Sequence, residues 1–184
     1  MTANSFGLRP FADLIAEPSG PITLRRIVRQ ADTSEIRIGD LVCDVAADPN
    51  AVPVCSTIWG ATAPSNPGAH SVVVSIDGVG APAFIPSAKA RDYACSVVQA
   101  SALQRFYIAV NGVLTLADIG KRLSWLLTGQ PVASASRLML DPTGSSFPAF
   151  TIVGLAARPD FPSYPAGGIA IVTWNGSPFG VKAL

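Results

Sequence analysis

The segment Tyr107-Ile-Ala-Val-Asn-Gly-Val-Leu-Thr-Leu116 carries the clearest structural signal in the sequence. An Asn-Gly pair between two short apolar runs is typical of a two-residue type I′ β-hairpin, because both central residues of that turn adopt positive φ angles. We therefore predict one strand before Asn111-Gly112 and a second strand after it. This hairpin indicates a domain built from β-strands.

The chain from Ile22 onward repeats the pattern: short runs rich in Val, Ile, Thr and aromatic residues alternate with Pro, Gly, Asn and Asp turns. These runs predict strands near residues 22–28, 40–45, 54–59, 71–76, 93–98, 103–110, 137–140, 150–156 and 168–174. Residues 117–129 fit both a helical and a strand period, and Gly120 favours a strand. We expect an all-β fold, a jelly-roll-like sandwich or barrel of about nine or ten short strands.

The N-terminal residues follow neither period and contain Pro10, Pro18 and Pro21. We predict an extended arm at residues 1–21 and a single all-β domain at residues 22–184. The arm is rich in apolar residues: Phe6, Leu8, Phe11, Leu14 and Ile15. Each contributes about 1.5–3 kcal/mol when buried. The arm therefore either docks into a neighbouring molecule or folds back on its own domain and covers a sheet edge.

The composition predicts a poorly charged surface. Charged residues make up 14% of the 184 residues and the net charge is +1, whereas a soluble domain usually carries about 25% charged residues. The longest basic clusters are Arg25-Arg26 and Lys121-Arg122, so we expect no nucleic-acid partner. No apolar run approaches the roughly 18 residues of a membrane span, so we expect no membrane partner either.

The cysteine pattern and the N-terminus both point to a reducing compartment. Cys43, Cys55 and Cys95 are odd in number and form no Cys-x-x-Cys pair, which favours free, partly buried thiols. Residues 1–10 lack the apolar core of a signal peptide, so we expect synthesis in a cytoplasm.

The usual catalytic motifs are missing from the sequence. The single histidine, His70, lies in a predicted turn, and no serine occupies a Gly-x-Ser-x-Gly elbow. The run Asp77-Gly-Val-Gly-Ala-Pro-Ala83 loosely matches a dinucleotide fingerprint, but Pro82 and Pro86 leave no room for the helix that would bind the pyrophosphate. We interpret it as a glycine turn between strands.

Five acidic residues cluster in sequence: Asp32, Glu35, Asp40, Asp44 and Asp48. Such a cluster could hold a calcium ion or serve carboxylate-based hydrolysis. Acidic residues near turns more often form solvated faces and caps, and we favour that interpretation. We therefore expect no catalytic residue, no metal and no cofactor.

Six short motifs occur in order along nearly the whole chain. They are Asn4-Ser-Phe-Gly-Leu-Arg-Pro10, Ile38-Gly-Asp-Leu-Val42, Asp118-Ile-Gly120, Ile152-Val-Gly-Leu155, Arg158-Pro-Asp160 and Ile171-Val-Thr-Trp-Asn175. The ordered set resembles the capsid cement, or head-decoration, proteins of tailed bacteriophages. The chain differs from that family in having fewer acidic residues in its middle and a Pro/Gly-rich loop at residues 64–68.

The resemblance implies a non-enzymatic virion protein that is made in the host bacterial cytoplasm and binds the outside of the phage head. Such a protein bridges neighbouring major capsid subunits and associates with its own copies; closed symmetry favours a homodimer or a homotrimer. In this picture the arm makes the contacts to the capsid or to another subunit through Phe6, Leu8, Arg9, Pro10 and Phe11. The aromatic and leucine side chains would fill pockets, and the Arg9 guanidinium would pair with a carboxylate.

Two other functions remain open at this point. The first is an adhesin-like jelly roll that binds a carbohydrate or another small ligand, with Trp59, Trp125 or Trp174 as a stacking platform. We favour core packing for these tryptophans because they lie in or beside apolar strand windows. The second is a hydrolase that uses Asp40 and Asp44.

Overall fold

The computed structural model describes residues 9–11, 23–33, 35–43, 70–78, 84–100, 103–127, 138–143, 149–156 and 166–175. Within these residues the chain forms ten β-strands and one 3₁₀ turn, at Leu116–Asp118. The strands are β1 (Arg9–Phe11), β2 (Thr23–Val28), β3 (Leu41–Cys43), β4 (His70–Asp77), β5 (Tyr93–Gln99), β6 (Arg105–Ala109), β7 (Arg122–Leu127), β8 (Leu138–Asp141), β9 (Phe150–Leu155) and β10 (Ile169–Trp174). The predicted all-β, sandwich- or barrel-like fold is confirmed.

The strands pair antiparallel in two sheets. One sheet has six strands in the order β1-β6-β10-β9-β7-β8, and the other has four strands in the order β2-β5-β4-β3. In the smaller sheet β2 lies beside β5 although β3 and β4 come between them along the chain. This arrangement is a Greek key, which is common in β-sandwiches.

The larger sheet curls until its last strand returns to β6. Val110, directly after β6, forms an isolated bridge with Leu140 of β8. The backbone N–H of Asn111 also donates to the Leu140 carbonyl at 2.9 Å. The inner face of this sheet is therefore largely enclosed.

Alternation along the strands builds the core. Phe106 and Ile108 of β6 and Val172 and Trp174 of β10 are buried on the inner face, one residue in two, as a half-buried strand requires. Residues of the smaller sheet join the same cluster, among them Leu41, Val72 and Val98. The two sheets therefore share one hydrophobic core.

A second cluster covers the other face of the smaller sheet. Val28, Val73 and Val97 of that face are fully buried against Ile36 and Ile85, which lie outside the named strands. The backbones of Ile36 and Ile85 exchange two hydrogen bonds, at 2.9 and 2.8 Å. The centre of the smaller sheet is thus buried on both faces, whereas Thr23, Leu24 and Arg25 at the start of β2 are exposed.

The predicted hairpin at Asn111-Gly112 is wrong. β6 pairs with β1 on one side and with β10 on the other, so no edge of β6 is left for residues 113–116. Asn111 does not have the positive φ that a type I′ turn needs. The chain instead turns away: Leu114 N–H donates to the Gly167 carbonyl, and a 3₁₀ turn follows.

The other predicted strands that fall within the described residues are present. Residues 117–129 contain strand β7, as favoured, after the 3₁₀ turn. The strand predicted near residues 54–59 lies outside the described residues. His70 is the first residue of β4 and not part of a turn, because its backbone pairs with that of Cys43 in β3.

Candidate interaction surface

The segment after β6 closes one end of the core with a single leucine. Leu114 is buried in the shared core, although it belongs to no strand. Its N–H donates to the carbonyl of Gly167 at 3.0 Å. Gly167 has a φ of +78°, and a Cβ there would lie 2.0 Å from the Leu114 carbonyl oxygen. Only glycine allows these two backbone segments to approach so closely.

Asp118 stabilises the turn that follows. Its Oδ2 accepts hydrogen bonds from the Thr115 backbone N–H at 2.7 Å and from the Thr115 hydroxyl at 2.9 Å. Its Oδ1 accepts a bond from the Lys121 ammonium at 2.7 Å. These bonds, led by the one from Lys121, lower the pKa of Asp118 to about 2. The carboxylate is therefore charged at neutral pH and ties residues 115, 118 and 121 together.

Three apolar side chains on this turn or just before it face solvent. Val113, Leu116 and Ile119 are 57%, 77% and 44% exposed. We call these three residues the apolar ledge. Single exposed apolar residues are ordinary, whereas a group held on an ordered turn is typical of a contact surface for another protein.

The ledge adjoins the six-stranded sheet. The N–H of Gly120 donates to the Ile152 carbonyl at 2.8 Å, and the N–H of Ile152 donates to the Lys121 carbonyl at 3.0 Å. These bonds continue the pairing of β7 with β9 up to the end of the ledge. The ledge is therefore fixed relative to the sheet.

The structure places part of the predicted arm on the sheet edge. Arg9, Pro10 and Phe11 form β1 and pair with Tyr107, Phe106 and Arg105 of β6 in the same chain. For these residues the chain adopts the second arrangement considered from sequence, in which the arm covers its own sheet edge. Phe6 and Leu8 lie outside the described residues. The contact role of all five arm residues stays a prediction, as does the arm boundary at residue 21.

The clustered acids that are described serve local structure. Asp32 accepts a hydrogen bond from the buried Lys89 ammonium through its carbonyl, and its carboxylate lies 3.4 Å from the same nitrogen. Glu35 pairs with Arg37 at 2.5 Å, and the Asp40 carboxylate accepts the Arg37 backbone N–H at 2.8 Å. Asp44 and Asp48 lie outside the described residues. The three described acids therefore act in ion pairs and turns, but they do not form the solvated face that was expected, because Asp40 is only 5% exposed and Asp32 and Glu35 are half-buried.

The described tryptophans pack in the core, as favoured. Trp125 and Trp174 are 8% and 1% exposed. Both meet Phe150 edge to face, with ring centroids 5.6 and 5.3 Å apart. A stacking platform on these two rings is therefore not available, and Trp59 lies outside the described residues.

The cysteines are further candidate residues from the sequence. Burial, and secondarily the Asp77 carboxylate, raises the pKa of the free thiol of Cys95 to about 12, so the thiol is protonated and unreactive at neutral pH. The backbone of Cys43 lies in β3, while Cys55 is outside the described residues.

Asp77 ends β4 and accepts hydrogen bonds from Ser75 and Ser96 at 2.7 and 2.9 Å. After it, Gly78 turns with a φ of +117°.

Metal and membrane features are also absent from the described residues. There, no three His, Cys, Asp or Glu side chains come together in a way that could hold a metal ion. In the same part of the chain, no helix has the length and apolar character needed to cross a bilayer.

Sequence reasoning missed the ledge. Val113 and Leu116 were assigned to the second strand of the hairpin, where alternate residues would be buried. The available signal was the capping pattern: Thr115 followed three residues later by an acid, Asp118, which is typical of the start of a helical turn.

No family model, curated protein or solved structure matches the chain.

Proposed function

We propose that the chain is a non-enzymatic virion structural protein, a capsid cement protein that binds the outside of an assembled phage head and bridges neighbouring major capsid subunits. A homodimer or homotrimer is the proposed assembly. The observation that carries the proposal is the apolar ledge, a set of exposed apolar side chains on one short segment, whose burial by a partner would stabilise a complex.

Three further features support this proposal. The ordered motifs resemble the cement family along nearly the whole chain. The charged fraction of 14% is low, as suits a surface that is largely in contact with other proteins. The described acids of the predicted cluster are engaged in ion pairs and turns.

An ordered contact surface suits a protein that must hold neighbouring shell subunits together. A protein that binds only the assembled lattice stabilises that state by mass action. Docking costs less free energy when the backbone of the contact residues is already held in place, and the Asp118 bonds to Thr115 and Lys121 hold the turn that carries Leu116 and Ile119. The ledge would therefore contribute affinity without an ordering step.

Cosedimentation with purified heads tests the proposal. The heads are assembled from the shell protein encoded in the same genome, and the fraction of chain that pellets is measured. We expect the wild-type chain to bind. We expect Leu116→Ser to weaken binding at least tenfold, which is about 1.4 kcal/mol and less than the gain from burying one leucine.

Leu103→Ser is the matched control. Leu103 is 95% exposed but precedes β6, whereas the ledge follows β6. The Leu103→Ser variant should pellet like the wild type. The proposal is wrong if the wild-type chain does not pellet, and the ledge has no role if Leu116→Ser binds as tightly as Leu103→Ser.

A further inference from the structure

The pair Asn111-Gly112 lies just after β6 and directly before the ledge. Both residues are exposed, and both lie in a bend outside the strands. The backbone N–H of Asn111 is bonded to the Leu140 carbonyl, but its side-chain amide has no hydrogen-bond partner in the described part of the chain. The N–H of Gly112 likewise meets no acceptor among the described residues. An open side-chain amide and an open backbone nitrogen are therefore adjacent.

These two groups can react with each other. The glycine nitrogen attacks Cγ of the asparagine and forms a cyclic imide, and the side-chain amide leaves as ammonia, taking up the proton of the attacking nitrogen. Water then opens the ring at one of its two C–N bonds. Opening of the new bond at Cγ leaves aspartate, whereas opening of the original peptide bond leaves isoaspartate, in which the backbone runs through Cβ and Cγ.

The fold keeps glycine at the reactive position. Glycine has no Cβ, so nothing shields its nitrogen from the neighbouring side chain. Gly112 has a φ of +142°, and a Cβ there would lie 3.2 Å from Cγ of Pro142. A larger residue would therefore be strained and crowded at this position. The reactive pair thus follows from the way the chain leaves β6.

The reaction would alter a short span between two fixed points. At its start, the Asn111 N–H is bonded to β8; at its end, the Leu114 N–H donates to the Gly167 carbonyl at 3.0 Å and the leucine side chain is buried. Only Gly112 and Val113 lie between these points. Isoaspartate adds one atom to the backbone of this span. The added length must either displace Val113, a residue of the ledge, or break one of the two hydrogen bonds.

We propose that Asn111-Gly112 is a site of spontaneous deamidation and isomerisation, and that the isoaspartyl product alters the apolar ledge. The chain itself is the substrate and water is the only co-reactant. The product places a new carboxylate beside Val113, and a partner that buries the ledge would have to desolvate that charge. The loss of partner binding rests on the proposed function, whereas the modification rests on the exposed pair alone.

Peptide mapping of the aged full chain tests the modification. The purified chain is incubated at mildly alkaline pH, digested, and analysed by mass spectrometry with chromatographic separation of aspartate and isoaspartate. We expect the peptide that contains Asn111 to gain the mass of one water and lose that of one ammonia, faster at higher pH because the deprotonated nitrogen attacks. Asn50, which is followed by alanine, should react at least about tenfold more slowly because a side chain shields the nitrogen.

The same measurement in urea separates the contribution of the fold from that of the sequence. We expect Asn111 in the folded chain to react within about tenfold of its rate in the unfolded chain, which corresponds to about 1.4 kcal/mol of barrier. Asn111→Gln is the matched control, because its longer side chain closes the ring far more slowly. The second Asn-Gly pair begins at Asn175 and gives a different peptide, so its reaction is measured separately.

Hydrogen exchange measures the effect on the ledge without a partner. The isoaspartyl chain is purified by chromatography, and its Leu114 N–H should exchange at least about tenfold faster than in the unmodified chain. The N–H of Ile85, which donates to the Ile36 carbonyl in another part of the structure, should exchange at an unchanged rate. Freshly purified Asn111→Asp carries the charge without the added backbone atom, and its Leu114 should exchange as in the wild type.

Two results would overturn the inference: reaction of Asn111 only after unfolding, or unchanged exchange of Leu114 in the isoaspartyl chain. Cosedimentation with heads then tests the effect on binding, and the isoaspartyl chain should bind at least tenfold more weakly than the unmodified chain, which is about 1.4 kcal/mol. Equal binding of the two forms would overturn the effect on the partner. If neither form pellets with heads while Asn111 reacts as described, the proposed function fails and the modification site stands.

Discussion

Gly167 marks a position where the fold depends on the lack of a side chain. Its φ of +78° and its contact with the Leu114 carbonyl together let two segments without regular structure close one end of the core. The sequence around it, Pro165-Ala-Gly-Gly168, predicts a turn, but nothing local indicates that Leu114 would lie against it. The contact joins residues far apart in sequence, so local patterns do not predict it.

Alanine at Gly167 should therefore be far more harmful than alanine at Gly120. Gly120 has a similar φ of +90° but open space around it, so Gly120→Ala costs only the left-handed backbone strain of about 1–2 kcal/mol. Gly167→Ala adds the clash with Leu114, and we expect it to lower the free energy of unfolding by about 1–3 kcal/mol more. Urea unfolding of both variants measures the difference. Equal losses would contradict the described approach of the two segments.

Because of Asp118, the free energy of unfolding should depend on pH in the acidic range. Its pKa in the folded chain is about 2, below the ordinary value of 3.8, so the charged form is favoured by folding. The stabilisation is complete above the unfolded value of 3.8 and is lost as the pH falls through about 2. We expect Asp118→Asn to lower the urea midpoint at neutral pH, and the difference from wild type to fade over that interval.

Lys121→Gln is the companion variant, because the Lys121 ammonium is the main cause of the lowered pKa. Its midpoint should depend less on pH over the same range than that of the wild type. A difference between wild type and Asp118→Asn that stays constant down to pH 2 would contradict the described hydrogen bonds.

Strand β6 shows that a local sequence pattern can predict a strand without predicting its pairing partners. The run Tyr107-Ile-Ala-Val110 was predicted as a strand, and it is one. Its partners, however, come from far along the chain: β1 at the N-terminus and β10 near the C-terminus. Competition from these two strands for both edges of β6 excludes the local hairpin. The Asn111-Gly112 pair therefore predicted correctly that the chain changes direction after β6. The predicted pairing of the two flanking segments was wrong.

Loss of β1 should open the edge of the larger sheet. We expect a chain that lacks residues 1–11 to be about 1–3 kcal/mol less stable than one that lacks residues 1–8, because the few ladder hydrogen bonds are worth about 1 kcal/mol each. The exposed edge of β6 should also promote association between copies. Urea unfolding and sedimentation velocity of the two truncated chains measure these effects. Identical stability and mass would contradict the described pairing.

At the scale of the whole molecule, the fold class was predictable because it depends on a pattern repeated in many segments. Runs of alternating apolar residues, separated by turns, indicate strands wherever they lie, and β4, β5, β9 and β10 fall where the sequence predicts them. The strand order was not predictable, because it follows from pairings between distant segments. The Greek key in the smaller sheet and the return of β8 to β6 both arise in this way.

The candidate surface was predictable only in part. The arm residues Arg9, Pro10 and Phe11 were singled out, and their backbone lies at the sheet edge. The ledge was not predicted, because the exposure of Val113, Leu116 and Ile119 depends on how distant segments pack around them.

Cryo-electron microscopy of phage heads incubated with the chain tests the central claim most directly. The heads are built from the shell protein encoded in the same genome. We predict density on the outer surface that spans neighbouring shell subunits, with the apolar ledge turned toward the shell. Heads that remain bare at a saturating concentration of the chain would contradict the account.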